Sequence, residues 1–404
     1  MAESEGIAAL AGLKVVEFAH VIAGPLAGTF LADLGADVVH VEPPGVGDTG
    51  RKMGPAKDGV HLWWKVAARN KRSLSLDLRQ DAGREVARRL AGWADVVITN
   101  LRVDTLAAWG LDWSVLHRLN PSLIYVQITG FGANTSLRNA PGFGKVGEAR
   151  SGVVHLTGFP DGPPVHTGFS HADSVTALTA AFGILAAAYR KARDPDFRGE
   201  WIDLALFESL FRLVEWQVIA HDQLGVAPVR SGNRLAVAPA AVVNTYLSAD
   251  DEWITVTSAT VRSVQNVARL LGLPPETFRT VEQQAARTDE LDDVLRTWLR
   301  QRSSAEALRA MADAEVVASR IFSMDDIATD PTYAEREAIV SVPDDELGQV
   351  RMQAVVPKMH SHGGTVWRTG PRLGADNEVV CKKWLGMADA DFHQLCAAGV
   401  IGDG

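Results

Sequence analysis

The stretch KVVEFAHVIAGPLAGTFLADLGADVVHVE, Lys14 to Glu42, decides how the chain folds. Its first apolar run, Lys14 to Phe18, reads as a strand, and the pattern from the turn His20-Val21-Ile22-Ala23-Gly24-Pro25 through Leu34 reads as a helix. A second apolar run, Asp37 to Val41, follows and closes on Glu42, which completes a β-α-β unit. The alternation continues with Ser73 to Leu78 as a strand, Ala82 to Leu90 as a helix, Asp95 to Thr99 as a strand, a helical stretch through Leu119 and Leu123 to Ile128 as a strand. An α/β fold with a mostly parallel sheet flanked by helices is the predicted architecture. Glu42 stands about 20 residues beyond the glycine turn, where a dinucleotide fold has its acid, but the G-x-G-x-x-G fingerprint is missing, which argues against NAD.

In such sheets ligands bind beyond the carboxyl ends of the strands, and there lie His20, Asn100, Arg102 and the glycine-rich Thr129-Gly130-Phe131-Gly132. Arg69-Asn70-Lys71-Arg72-Ser73 enters a strand, and its three cations suit either phosphates or a solvated strand entry. Pro141 to Gly152 reads as a glycine-spaced loop carrying Lys145 and Arg150, two candidates for binding a carboxylate, and Val153 to Thr157 reads as a strand. Gly162 to Arg193 is a turn-rich approach running into a long apolar pattern without Pro, hence a loop feeding a buried helix. Asp173 sits at that junction, where unpaired N–H groups and the helix dipole favour its ionised form. Ser170-His171-Ala172-Asp173 also matches the spacing of a capping box, so a cap and a catalytic acid are both open readings of Asp173.

A strand from Glu200 to Leu206 and a helix through about Leu224 follow, and the pattern breaks at Val226 to Pro239. Beyond the break come a hairpin, Thr245 to Leu247 with Trp253 to Thr257, and amphipathic helices over Val261 to Leu271, Thr288 to Gln301 and Ser304 to Ala314, which together predict a smaller α+β domain. The tail holds strand signals around Ile339 to Val342 and Gln349 to Val356, then helices at Glu378 to Leu385 and Ala390 to Ala398.

The 404 residues, 47% of them hydrophobic, can build a large core and favour two domains over one. A net charge of −9 argues against a general nucleic-acid binder. Two cysteines, Cys381 and Cys396, without a ligand cluster indicate neither a disulfide framework nor a zinc site, and a reducing cytoplasm fits them best. The acidic start, MAESEGIAALAG, lacks the pattern of an export signal, and no apolar run is expected to reach membrane-spanning length.

Taken in order, the motifs resemble those of the family III CoA-transferases, the group of formyl-CoA and carnitine CoA-transferases that also includes 2-methylacyl-CoA racemases. The resemblance rests on Leu13 to Phe18 with Ala23-Gly24-Pro25, Leu34 to Glu42, Gly47-Asp48 with Arg51, Asn70-Lys71-Arg72-Ser73, Asn100-Leu101-Arg102 and Gly130-Phe131-Gly132. It continues through Pro141-Gly142-Phe143, Ala172-Asp173, Ile202-Asp203, Gly232-Asn233, Leu347-Gly348 and Ala398-Gly399-Val400-Ile401. It implies an interlocked homodimer of ring-like subunits. Each subunit would have a Rossmann-like large domain from 1–225 and 336–404 and a small domain over 226–335. Asp173 matches the family's catalytic aspartate, which forms an aspartyl anhydride and then an aspartyl-CoA thioester as CoA passes from an acyl-CoA to a free acid. No cofactor is bound permanently, no metal is needed, and coenzyme A arrives as part of the substrate.

The resemblance places CoA against His20, Val21, Ala23, Asn70, Lys71, Arg72, Asn100 and Arg102, with Lys145 as a further binding candidate. The chain departs from the family pattern in Pro43-Pro44, where a basic residue is usual, and in Ser231 to Pro239, a gate segment with one glycine. Lys145, Arg150 and Arg234 hint at a second carboxylate on the acid, as in the branch that uses succinyl-CoA. The rival activity in the same fold is racemisation of 2-methylacyl-CoA; no His lies between Val126 and Val154, where racemases carry one, and His171 reads as a loop residue or a shaper of the substrate pocket.

Overall fold

The structure, a computed structural model, describes residues 8–402; the acidic residues 1–7 that open the chain lie outside them. The chain divides into two units, one made of the residues up to Val153, His166–Trp216 and the chain from Ala334 on, the other of Val154–Val165 and Gln217–Tyr333. The division falls at Trp216, nine residues before the expected 225, and the second unit also takes in Val154–Val165 from within the expected large domain.

The larger unit is built on six parallel strands: β1 (Lys14–Phe18), β2 (Asp37–Glu42), β3 (Arg72–Ser75), β4 (Val96–Thr99), β5 (Ile124–Thr129) and β6 (Glu200–Ala205). Their order across the sheet is β3-β2-β1-β4-β5-β6, with Val15 in register with Val38 on one side and Val96 on the other. Side chains alternate between the two faces of each strand, so each run of valines feeds two cores. Val16, Val39 and Val97 pack with Val86 and Leu90 of α2 (Asp81–Trp93) and with Val380, Phe392 and Val400 of the tail. Val15, Val38, Val96 and Val126 pack with Ala27 and Leu31 of α1 (Ala23–Asp33) and with Ala177, Ala180 and Ile184 further along the chain. Each fully buried valine or leucine contributes roughly 1.5–3 kcal/mol, and burial on both faces is what makes these strands near-continuous apolar runs.

β3 stops at Ser75, short of the expected Leu78, because the tail takes over: Leu76 bridges Ile401 and the Asp77 N–H donates to Val400 O. Two further N–H groups of this edge strand are met by side chains, Ser73 N by Asp376 Oδ2 and Ser75 N by Asn377 Oδ1. An open edge is thereby closed by the chain's own end.

Two local expectations are corrected. Pro141 to Gly152 is not all loop but contains α3 (Gly144–Arg150), and Val153 begins a helical turn, Val153–Leu156, not a strand. The glycines of α3 serve close packing: a Cβ on Gly147 would sit 2.9 Å from Leu206 Cβ. Such glycines are indistinguishable in sequence from turn glycines.

The long helix is α4 (His171–Arg193), followed after β6 by the short α5 (Leu206–Phe211). Contrary to the expectation that no apolar run reaches membrane-spanning length, α4 is long and apolar enough to cross a bilayer by composition. Its Ala177, Ala180, Ala181, Ile184 and Ala187 are instead part of the second core.

The smaller unit carries a three-stranded sheet in which Trp253–Ser258 pairs antiparallel with both Val242–Leu247 and Ala318–Arg320. Val264, Val267, Leu291, Leu295, Leu299 and Met311 of its helices bury against Tyr246, Ile254 and Val256. Within this unit Ser231 to Pro239 is tied to its own sheet and helices: Asn233 donates to Thr245 Oγ1 at 2.7 Å, and Arg234 pairs with Asp289 at 2.6 Å. Arg234 is thus held by acids of its own unit, Asp292 also lying 3.9 Å away, which removes it as a ready carboxylate contact.

Candidate active site

Strand order runs outward in both directions from β1 and β4, so the connections after these two strands diverge and leave a crevice at their carboxyl ends. His20 follows β1 and Asn100 follows β4, and the two are clasped: the His20 N–H donates to Asn100 Oδ1 at 3.0 Å and Asn100 Nδ2 donates to His20 O at 2.7 Å. Beside them opens a hollow of about 290 Å³ lined by the turn His20 to Ala23, by Asn100, by Thr129 and Gly130 at the end of β5, by Gly142 to Lys145 and by Asp173. The five expected positions His20, Val21, Ala23, Asn100 and Asp173 therefore meet in one place, with Lys145 at the wall.

Glycine shapes this hollow. A Cβ on Gly130 would come 2.9 Å from Gly142 Cα, so both loops depend on the absence of side chains to approach. Gly144 likewise leaves room for the Asp173 carboxylate, which a Cβ there would meet at 2.0 Å.

The electrostatics differ from the sequence reading. Ser170 makes no side-chain cap bond, and among the described residues no hydrogen bond or ion pair reaches the Asp173 carboxylate. The cap of α4 comes from Glu148 of α3, almost fully buried, which accepts from the His171 N–H at 3.2 Å and from the Ala172 N–H. Glu148 also holds Lys145 Nζ at 3.0 Å and lies 2.6 Å from His166 Nδ1. Burial, and then the negative charge of Glu148, push the Asp173 carboxyl up to about 6, with Lys145 opposing. The expected ionising effect of the helix start is spent on Glu148, whose own pKa is lowered, against the effect of its burial, by His166 and Lys145. Glu148 went unnoticed in the sequence because its one near partner, Lys145, looks like an ordinary i,i+3 pair, while His166 and the His171 N–H lie 18 and 23 residues away.

The cations sort themselves by partner. Lys145 donates to Glu148, to Thr167 O and to Phe169 O, so its ammonium is already saturated and is not a free contact for CoA. Lys71 is fully buried, its ammonium bound to Glu17 at 2.9 Å, and Asn70 donates to Asp33 and Thr365 O. Both are interior residues with no face toward the hollow, a correction to their reading as phosphate contacts. Arg72 pairs with Asp376 and lies over the Trp384 ring at 4.9 Å; Arg102 is exposed ahead of the helix Val103–Trp109. Arg150 is exposed between the rings of Phe131 and Phe207, at 5.2 and 5.7 Å, and among the described residues it has no ion pair. His171 Nδ1 is buried without a hydrogen-bond partner, its ring tilted against Phe169.

A second hollow, of about 410 Å³, runs along the ends of β3, β2 and β1, lined by Phe18, Val41, Pro43, Leu76, Leu78 and Trp109. His20 borders both hollows.

Fold and site define a doubly wound α/β protein with an unpartnered carboxylate in the crevice where its strand order reverses. The chain belongs to CoA-transferase family III, whose model matches residues 10–377. It is 36% identical to the succinyl-CoA–D-citramalate CoA-transferase of Chloroflexus aurantiacus, over 96% of this chain and 97% of that one. It is 33% identical to the beta subunit of the succinyl-CoA–L-malate CoA-transferase of the same organism, over 97% and 98%. Among solved structures, a CAIB/BAIF family protein from Brucella suis superposes with a TM-score of 0.80 at 30% identity, covering 94% of this chain and 100% of that one.

Proposed function

We propose that the protein moves CoA from succinyl-CoA to a free dicarboxylic acid, with Asp173 as nucleophile. The observation that carries the reading is the Asp173 carboxylate itself: it is partly buried in the switch-point hollow, has no hydrogen bond or ion pair among the described residues, and is held at a pKa of about 6. Such a group is mostly ionised at neutral pH yet more basic than an exposed carboxylate, which suits attack on a thioester. Relatives that act on succinyl-CoA with citramalate or malate support the choice of donor and acceptor.

In the proposed cycle Asp173 attacks the thioester carbonyl, the C–S bond breaks, and CoA thiolate leaves an aspartyl–succinyl anhydride. The thiolate then attacks the aspartyl carbonyl and expels succinate, so the energy of the thioester is kept as an aspartyl-CoA thioester. An incoming carboxylate reverses both steps and leaves as the new acyl-CoA. The start of α1 opens on the hollow through Ile22 and Ala23 and carries no side-chain cap bond, so its positive end is available to developing oxyanions. The nucleotide of CoA is proposed to lie in the apolar second hollow, with its arm passing His20, the residue common to both. Arg150, without an acidic partner, is the proposed contact for the distal carboxylate of the acceptor.

A homodimer completes the proposal. Leu178, Phe182, Leu185 and Tyr189 form an exposed apolar stripe along one side of α4, spaced by four, three and four residues, which a monomer leaves in water. Light scattering behind size exclusion tests it, and a monomer would overturn it. The reaction is tested by mixing the protein with succinyl-CoA and a panel of free acids and weighing the products. CoA carried on a dicarboxylate, lost in Asp173→Ala, is the expected result. Transfer that persists in Asp173→Ala, or deuterium uptake at C2 of a branched acyl-CoA without any CoA exchange, overturns it.

A further inference from the structure

Val21 lies at the floor of the Asp173 hollow with φ +67, in the left-handed region, although it is β-branched. That conformation disfavours such a residue by a factor of roughly 5–30 and persists only where the surroundings impose it. What imposes it here is Asp48. Both of its carboxylate oxygens accept from the Val21 N–H, at 3.0 and 3.1 Å, while Asn100 holds the neighbouring His20 backbone.

Asp48 is itself fixed from behind. It is buried, accepts from the Gly50 N–H at 2.7 Å, and meets His40 Nε2 at 3.1 Å. His40 Nδ1 lies 2.7 Å from Glu17, which in turn is bound by Lys71. Burial alone would keep His40 neutral, but its bonds to Asp48 and Glu17 and the charges of Glu17 and Glu42 raise it to about 9. A charged imidazolium therefore stands behind the Asp48 carboxylate at neutral pH, and the alternating chain Lys71, Glu17, His40, Asp48 ends on the main-chain N–H groups of Val21 and Gly50.

We propose that Asp48 is a positioning residue for the transferase site: backed by His40, Glu17 and Lys71, it holds Val21 left-handed and thereby sets the His20 to Ala23 turn against Asp173. This also gives Lys71 and His40 a role that contact with substrate does not. The catalytic part rests on the CoA-transfer reading; the conformational part does not.

The test is a double-mutant cycle of Asp48→Asn with Val21→Gly, read by amide hydrogen exchange over His20 to Gly24, by CoA binding in calorimetry and by CoA transfer from succinyl-CoA. Glycine takes a positive φ without strain, so it removes the need for Asp48. Asp48→Asn is expected to speed exchange at the turn about tenfold and to lower kcat/KM on the order of tenfold; adding Val21→Gly is expected to restore activity, with a coupling of about fivefold or more between the two sites. Exchange at the turn unchanged by Asp48→Asn, or a coupling indistinguishable from unity in both binding and transfer, overturns the proposal. Asp48→Glu keeps the charge beside His40 but shifts the carboxylate by one methylene; it is expected to show the same pattern and decides the matter if Asp48→Asn does not fold. If the wild-type chain transfers CoA to no acid, the reading of its activity fails, while exchange and CoA binding still decide the role of Asp48.

Discussion

The Asp173 carboxylate lies so close over Gly144 that a Cβ placed there would stand 2.0 Å from its Oδ2. Gly144→Ala therefore displaces the carboxylate, and since Gly144 opens α3 without a positive φ, the fold should survive. Misplacement by about 1 Å is expected to cost on the order of 10²-fold in kcat. Steady-state kinetics beside circular dichroism checks both halves; full activity would show that the carboxylate position is not critical.

The pH profile follows from the raised carboxyl of Asp173. The ionised form is the nucleophile, so kcat/KM is expected to rise with pH and level off above about 6, the pKa of the free enzyme. An acid limb near 4, the value of an exposed carboxylate, would contradict the burial effect.

Stability should move the opposite way. Because folding raises this carboxyl, the folded state binds its proton more tightly than the unfolded chain, and stability falls as pH climbs from about 4 to about 6. Asp173→Asn removes that penalty and is expected to stabilise the protein at pH 7.5 by roughly 1–2 kcal/mol, discounted for the partial exposure of the group. The gain should vanish by about pH 4. Thermal melts at the two pH values check it.

Glu148→Gln takes away the negative charge that helps to raise Asp173, together with the anionic cap of α4 and the anchor of Lys145 and His166. The acid limb of the rate profile is expected to move to lower pH, and stability to drop by roughly 1–3 kcal/mol. An unshifted limb in a folded variant would assign the raised pKa to burial alone.

Arg150→Gln tests the acceptor contact. KM for a dicarboxylate is expected to rise about tenfold or more with little change for a monocarboxylate, since a charge-assisted pair is worth about 1.5–3 kcal/mol. Equal effects on both acids would place Arg150 outside the substrate.

Much of the fold is legible in the sequence. Apolar runs such as Lys14–Phe18 announce strands buried on both faces, and their alternation with helical patterns announces a parallel sheet. The residues after β1 and β4, His20 and Asn100, are recognisable as crevice residues before any coordinate is known, and Asp173 is recognisable as a helix start. These readings depend on periodicity and propensity, which act between near neighbours.

The partners of the charges are another matter. In sequence Lys71 and Lys145 look like ligands for an anion, and Asp173 looks like the acid that a helix dipole keeps ionised. Folding places Glu17, 54 residues from Lys71, under its ammonium and Glu148 at the helix start ahead of Asp173. The amino-acid sequence by itself determined the layers, the strand ends at which a ligand binds and the residue types that gather there. Only the tertiary structure decided which of those groups are already paired and which stay free to react, because a charge's partner is set by packing across the chain and not by the residues beside it.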